Sequence, residues 1–202
     1  SIKVEGEKVV YDPQSPVNPI PFSKTGSSAK KLITIINQSE ARKITGCTEI
    51  SKIREYFFIQ ESCFALILKM GAKGALLFNS ATDEPIIIPV YKTNKVWPIG
   101  SGDVFSANFA MNWFNGIDLV ESATLASKAT ACYCDTRNLI TNNRFSSFEY
   151  PTLSVKEVPQ DMIYLAGPFF TFGERWIINE VLNSLRGFGL KVFSPFHDVG
   201  QI

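Results

Sequence analysis

Apolar residues fall along the chain in short, dense runs separated by polar and glycine-rich stretches. Leu32 to Ile36 is an apolar run of strand length, the kind a buried parallel strand shows. Lys8 to Tyr11 is a β-branched and aromatic run that Asp12-Pro13 ends in a turn, and a loop rich in Pro, Ser and Asn follows from Gln14 to about Ser28. Phe64 to Leu68, Ala75 to Phe78 and Ile86 to Val90 predict further strands, with Gly71 and Gly74 in the turn between the first two. Ser39 to Thr45 and Glu49 to Ile59 read as helices with Gly46 between them. Val104 to Phe114 predicts a helix opened by Gly100-Ser101-Gly102 and stopped by Asn115-Gly116. Asp118, with Glu121 one turn later, caps another helix that runs to about Cys134. Its small residues Ala123, Ala126, Ala129 and Ala131 allow close packing on a sheet.

Strands therefore alternate with helices, which predicts an α/β architecture. The rhythm breaks over Leu139 to Gln160, where Asn, Ser, Pro and charges collect. That places a first domain at 1–140, a linker at 141–160 and a second piece at 161–202. The second piece reads as strand Ile163–Ala166, helix Glu174–Arg186 and strand Lys191–Phe193, with Ile177, Val181 and Leu185 on one helix face. One β-α-β unit is too small to bury a core alone. The expectation is the opening of a larger domain, the chain being a fragment.

Composition narrows the function classes. Lys plus Arg number 20 against 19 Asp plus Glu, a net charge of +1 with no basic stripe, so nucleic acid is not the expected partner. The apolar runs are far too short to cross a membrane, and no export signal is visible, so a cytoplasmic location is expected. Cys47, Cys63, Cys132 and Cys134 read as reduced, buried thiols, since Cys132-Tyr133-Cys134 lacks the further ligands of a zinc site. The single His197 excludes any mechanism needing two histidines. The oligomeric state is left open, a homo-oligomer among the options.

The strongest chemical signal is Gly100-Ser101-Gly102-Asp103 ahead of a long helix. Glycines let backbone approach a ligand closely, and a helix start offers unpaired N–H groups and partial positive charge to an anion. An acidic residue there would repel phosphate unless it takes a proton from an attacking hydroxyl. Equally, Asp103 could simply favour the first helical turn, worth about 0.3–1 kcal/mol. Asn37 and Glu40 carry a similar ambiguity, since an N-cap and an acidic first turn would use the same residues.

Pro98-Ile99-Gly100-Ser101-Gly102-Asp103-Val104-Phe105 resembles the Asp-Thr-x-Gly-Ala-Gly-Asp-x-Phe signature of the PfkB (ribokinase-like) carbohydrate and nucleoside kinases. Asn37-Gln38-Ser39-Glu40 with Thr45-Gly46 resembles that family's Asn-x-x-Glu element, and Lys69 to Ala75 its glycine turn on the nucleotide side. Ala123 to Cys134 sits where the family places an Ala-rich helix flanking adenine. The resemblance covers roughly residues 8 to 137 and implies a three-layer α/β/α sandwich that binds ATP and Mg²⁺ and phosphorylates a sugar or nucleoside. It implies that Asp103 is the general base, that Gly100, Ser101 and Gly102 form the anion hole, and that Asn37 and Glu40 organise the metal. Lys69, Gly71, Gly74 and Ser127 would contact the nucleotide. Trp97-Pro98 replaces the usual Asp-Thr, a region that helps hold a monovalent cation in relatives, so the resemblance does not extend to potassium activation. The expectation is that the family's N-terminal half, which carries most of the acceptor pocket, lies outside this fragment.

Ile163 to Phe170, then Gly173-Glu174-Arg175 and Ser194 to Asp198, resemble the start of nucleoside 2-deoxyribosyltransferases, which implies a partial Rossmann-like (flavodoxin-like) unit. Gly167 and Pro168 would bend the chain at the sheet edge, and Phe169 and Phe170 would either stack on a base or cover the sheet edge as core aromatics. That family's nucleophilic glutamate is not matched by Glu174 or Glu180. Together the two resemblances imply nucleoside or deoxyribose salvage.

Overall fold

The computed structural model describes residues 3–15, 17–80, 84–139, 149–153, 161–187 and 189–200. The chain divides into two units, Ser1–Leu153 and Ser154–Ile202. Residues 141–148 and 154–160 of the expected linker lie outside the described residues.

In the larger unit, β1 (Glu5–Tyr11), β2 (Ser28–Asn37), β3 (Ala65–Lys69), β4 (Ala75–Asn79) and β5 (Ile86–Ile88) form one sheet in chain order. The first three run parallel, with Ile33 opposite Ala65 and Asn37 opposite Lys69. Strand β4 runs antiparallel to both of its neighbours, so β5 points the same way as the first three. Strand β2 explains its own composition. Leu32 and Ile36 face one core with Ala41 of α1 (Gln38–Thr45) and Ile53 and Phe57 of α2 (Ile50–Ile59). Ile33 and Ile35 face the other with Phe105, Phe109 and Trp113 of α3 (Ser101–Phe114) and Ala123 and Ala126 of α4 (Leu119–Thr136). A strand covered on both faces has no polar side, so its run stays apolar. Each such side chain contributes about 1.5–3 kcal/mol of burial. The result is the three-layer sandwich expected.

Several elements differ from expectation for identifiable reasons. The loop from Gln14 contains a 3-10 turn, Phe22–Lys24, because Phe22 is pulled into the core. Helix α3 begins inside the glycine loop, at Ser101, because Gly100 takes φ 80° and serves as its N-cap. Helix α4 starts as read, with Asp118 Oδ1 accepting from Val120 and Glu121 N–H, and ends at Arg137, left-handed at φ 62°. The Arg137 guanidinium lies 3.7 Å from the centre of the Trp97 ring, a contact that helps offset that conformation. Residues 149–153, within the expected linker, pair with 90–92: Lys92 N–H donates to Pro151 O and Leu153 N–H to Val90 O. The four cysteines are free thiols, but Cys47 and Cys134 are only half-buried.

The smaller unit has β6 (Met162–Tyr164) parallel to β7 (Lys191–Phe193), with α5 (Phe172–Gly187) between them and the short α6 (Pro195–Asp198) after. Ile178 and Leu182 of α5 and Val192 of β7 are buried, whereas Trp176 and Ile177 stay exposed.

Candidate functional site

Parallel strands β1 to β3 deliver Asp12, Asn37 and Lys69 to one edge, their carboxyl ends, where open α/β sheets bind ligands. The start of α3 joins them there. Lys69 Nζ lies 2.9 Å from Asp12 Oδ2, and Ser106 Oγ donates to the same oxygen at 2.6 Å. A Cβ placed on Gly102 would stand 3.4 Å from that ammonium, so the missing side chain leaves room for the lysine. Asp103, exposed in the first turn of α3, accepts a hydrogen bond at Oδ1 from Gln14 Nε2. Gln14 itself holds φ 37°, a conformation that non-glycine residues rarely adopt. Asp12 is nearly enclosed, its side chain 9% exposed, and its Oδ1 has no hydrogen-bond partner among the described residues.

The C-terminal end of α4 fixes the loop. Trp97 N–H donates to Cys134 O at 3.1 Å, and Tyr133 Oη donates to Ile99 O at 2.9 Å. The loop's anion-binding capacity is smaller than its sequence suggests. Ser101 N–H donates to Pro98 O at 3.2 Å and its hydroxyl to the same oxygen at 2.7 Å, so the amide is turned inward. Of the amides the signature implies, those of Gly100 and Gly102 are left.

The remaining expected site residues divide by what occupies them. Asn37 Oδ1 accepts from Glu40 N–H at 2.9 Å, and Glu40 Oε2 accepts from Asn37 N–H at 3.2 Å, a reciprocal cap of α1. Both therefore have a structural task at the same edge. Gly71 is exposed at φ 61° with nothing within 4 Å of a would-be Cβ, open to a ligand. Gly74 is different: a Cβ there would come 2.2 Å from Ile88 O, so close strand packing requires this glycine. Ser127 is buried and donates its hydroxyl to Pro89 O at 2.6 Å, which leaves only its lone pairs for a nucleotide. Gly167, Pro168 and Phe169 lie in the smaller unit. A Gly167 Cβ would meet Ile178 Cδ1 at 2.4 Å, and the Phe169 ring stacks on Phe196 at 5.3 Å. Glu174 caps α5 by accepting from Phe170 and Thr171 N–H, and these bonds hold its carboxyl below the usual range.

Sequence reasoning missed Asp12, Gln14, Ser106 and Tyr133. The only local signal was an acidic residue directly after a strand, which the following proline makes indistinguishable from a turn. As for a metal, no cluster of His, Cys, Asp or Glu among the described residues could hold an ion. One capped carboxylate, Glu40, fits a Mg²⁺ that arrives on phosphates and keeps its waters better than one caged by protein.

A sheet covered on both faces, with a glycine loop, a helix start, a lysine and an exposed carboxylate at its carboxyl edge, defines an α/β domain with a ligand-binding strand edge. The chain belongs to the pfkB family of carbohydrate kinases, which it matches over residues 9–145. In fold it is similar to ribokinase from Thermotoga maritima, with 22% identity and a TM-score of 0.53 over 70% of this chain and 45% of that one. It is likewise similar to the nucleoside kinase of Methanocaldococcus jannaschii, with 23% identity and a TM-score of 0.50 over 66% of this chain and 43% of that one. Arabidopsis thaliana ribokinase, complexed with ribose and ATP, aligns at 21% identity and a TM-score of 0.48 over 62% of this chain and 40% of that one. The chain thus spans less than half the length of these kinases. A search of curated proteins finds no match. Among the described residues no helix is long and apolar enough to cross a membrane.

Proposed function

We propose that the larger unit is the nucleotide-side half of an ATP-dependent phosphotransferase acting on a hydroxyl of a sugar or nucleoside. The observation that carries this is Asp103, an exposed carboxylate in the first turn of α3, beside the Gly100–Gly102 loop and Lys69 in a chain of this family. Gln14 occupies Asp103 Oδ1, so Oδ2 is the oxygen left for the acceptor among the described residues. The acceptor oxygen attacks the γ-phosphorus and passes its proton to Oδ2. The bond between that phosphorus and the β–γ bridging oxygen breaks, and ADP leaves. Gly100 and Gly102 N–H groups, with Lys69, face the charge on the transferred group; such fixed donors are worth about 2.7–4 kcal/mol each where water is excluded. Mg²⁺ bound with the nucleotide supplies further charge neutralisation on the phosphates. Asn37 and Glu40, which cap α1, would hold that ion through its waters. The two family resemblances, taken together, support a place in nucleoside or deoxyribose salvage.

Calorimetric titration of MgATP and MgADP into the full chain tests this, with Asp103→Asn and Gly100→Val beside it. Micromolar to low-millimolar binding, kept by Asp103→Asn and lost in Gly100→Val, is the expected result. No heat from a chain shown to be folded overturns it.

A second proposal concerns the smaller unit, where Phe169 lies stacked on Phe196 beside the loop that leaves β6. There a nucleobase would insert for deoxyribosyl transfer, with the larger unit as scaffold or nucleotide sensor. Base exchange that survives Asp103→Asn would favour this reading.

A further inference from the structure

Lys69 is an unusual residue to find at the end of β3. A lysine carries a flexible four-carbon stem and loses much conformational freedom when fixed in one place. Here it is fixed. Its side chain is 20% exposed, its ammonium is 2.9 Å from Asp12 Oδ2, and that carboxylate is the only acceptor it has among the described residues. Asp12 is fixed in turn by Ser106 Oγ at 2.6 Å, one turn along α3 from Asp103. Burying such a pair is seldom a route to stability, because the desolvation of both charges offsets their attraction. Asp12 Oδ1 also stays buried without a partner, and that too costs stability. The arrangement therefore calls for another explanation, and the position of the ammonium supplies one. It lies against Gly102, within the glycine loop, with two of its N–H donors unused among the described residues.

We infer that Lys69 reads the terminal phosphate of the nucleotide, and that Asp12 and Ser106 are positioning residues that hold its ammonium against Gly102. This rests on the phosphotransfer reading and specifies it. The site distinguishes a triphosphate from a diphosphate by a fixed point charge rather than by loop amides alone. The reduced amide supply of the loop, with Ser101 N–H turned onto Pro98 O, leaves that charge a larger share of the task.

The test is calorimetry on the full chain with MgATP and MgADP, each variant first shown to be folded by its melting curve. Lys69→Met is expected to weaken ATP about ten- to hundredfold, the effect of one charge-assisted hydrogen bond, and ADP by less than about threefold. Lys69→Arg should restore part of the ATP preference. Asp12→Asn should lower the ATP preference too, and Asp12→Asn/Lys69→Met should be no worse than Lys69→Met alone, because the positioning residue acts only through the lysine. Where Lys69→Met leaves a buried carboxylate that prevents folding, the double variant, with neither charge, gives the same readout. Equal weakening of ATP and ADP, no change in either, or full additivity of the two substitutions would overturn the inference while leaving the phosphotransfer reading in place. Failure of the unsubstituted chain to bind either nucleotide would overturn both.

Discussion

Replacing Gly100 by alanine places a methyl carbon in a conformation and a space that both resist it. The residue holds φ 80°, and its Cβ would stand 2.9 Å from Tyr133 Oη, the hydroxyl that donates to Ile99 O at 2.9 Å. The left-handed backbone costs an L-residue about 1–2 kcal/mol. Moving the phenol aside breaks its hydrogen bond, a net loss of about 0.5–1.5 kcal/mol. Gly100→Ala should therefore destabilise the larger unit by about 1.5–3.5 kcal/mol, the sum of those two effects. Tyr133→Phe alone should cost only the hydrogen bond. In the double variant the hydroxyl is already gone, so alanine adds only the backbone cost. The coupling between the two sites is then about 0.5–1.5 kcal/mol, the bond counted twice when the single effects are added.

Urea unfolding followed by tryptophan fluorescence measures this cycle. The chain has three tryptophans, and Trp176 is the one in the smaller unit, so a Trp176→Phe background reports on Trp97 and Trp113 alone. Additivity to within about 0.3 kcal/mol would refute the reasoning, since it would mean the tyrosine hydroxyl does not stand over the loop.

Gly74→Ala should destabilise more than Gly71→Ala. Both hold a positive φ that costs an L-residue about 1–3 kcal/mol, but only Gly74, at φ 85° and ψ −141°, adds an overlap with Ile88 O, worth about 1–3 kcal/mol more, measurable as a difference in urea midpoint. Glu40→Gln should keep the α1 cap, since glutamine serves equally in a capping box, whereas Asn37→Ala should cost about 0.5–2 kcal/mol. A loss of Mg²⁺-dependent ATP affinity in the stable Glu40→Gln protein would separate metal handling from capping. Burial pushes the Cys63 thiol up to about 12, against a weaker opposing effect of the Thr34 hydroxyl at 3.2 Å. Its contribution to stability is present below the unfolded value of about 8.5 and is lost as pH rises toward the folded one. Iodoacetamide at about pH 9 should accordingly label Cys47 and Cys134 before Cys63, as read by mass spectrometry.

The parts of this molecule legible in the sequence are those governed by near neighbours in the chain. The apolar run of β2 announced burial on both faces, Gly46 the break after α1, and Asp118 the start of α4. The pairing of strands was harder, because β4 looks locally like any other strand and only the sheet reveals that it runs against both of its neighbours. Of the site, the glycine loop and Asp103 were visible because a loop and helix start are contiguous. The Asp12–Lys69–Ser106 cluster was not, since its members lie 57 and 94 residues apart and no periodicity connects them. The inward turn of the Ser101 amide was hidden for another reason: it depends on the carbonyl of Pro98, which the motif treats only as a substitution.

Two aspartates stand near the start of α3, and their surroundings give them different work in the proposed reaction. Asp12 is enclosed and engaged by Lys69 and Ser106, so no acceptor hydroxyl reaches its bonded oxygen. Asp103 is exposed and, among the described residues, only its Oδ1 meets a protein donor, which leaves an oxygen for proton acceptance from a substrate. Separate environments for paired carboxylates are how such sites divide their roles. The division predicts opposite phenotypes: Asp103→Asn should leave the ATP-over-ADP preference intact and abolish transfer, whereas Asp12→Asn should erode the preference first. A protein in which both substitutions acted alike would have one carboxylate pair serving one role, and the burial difference between them would be incidental to the chemistry.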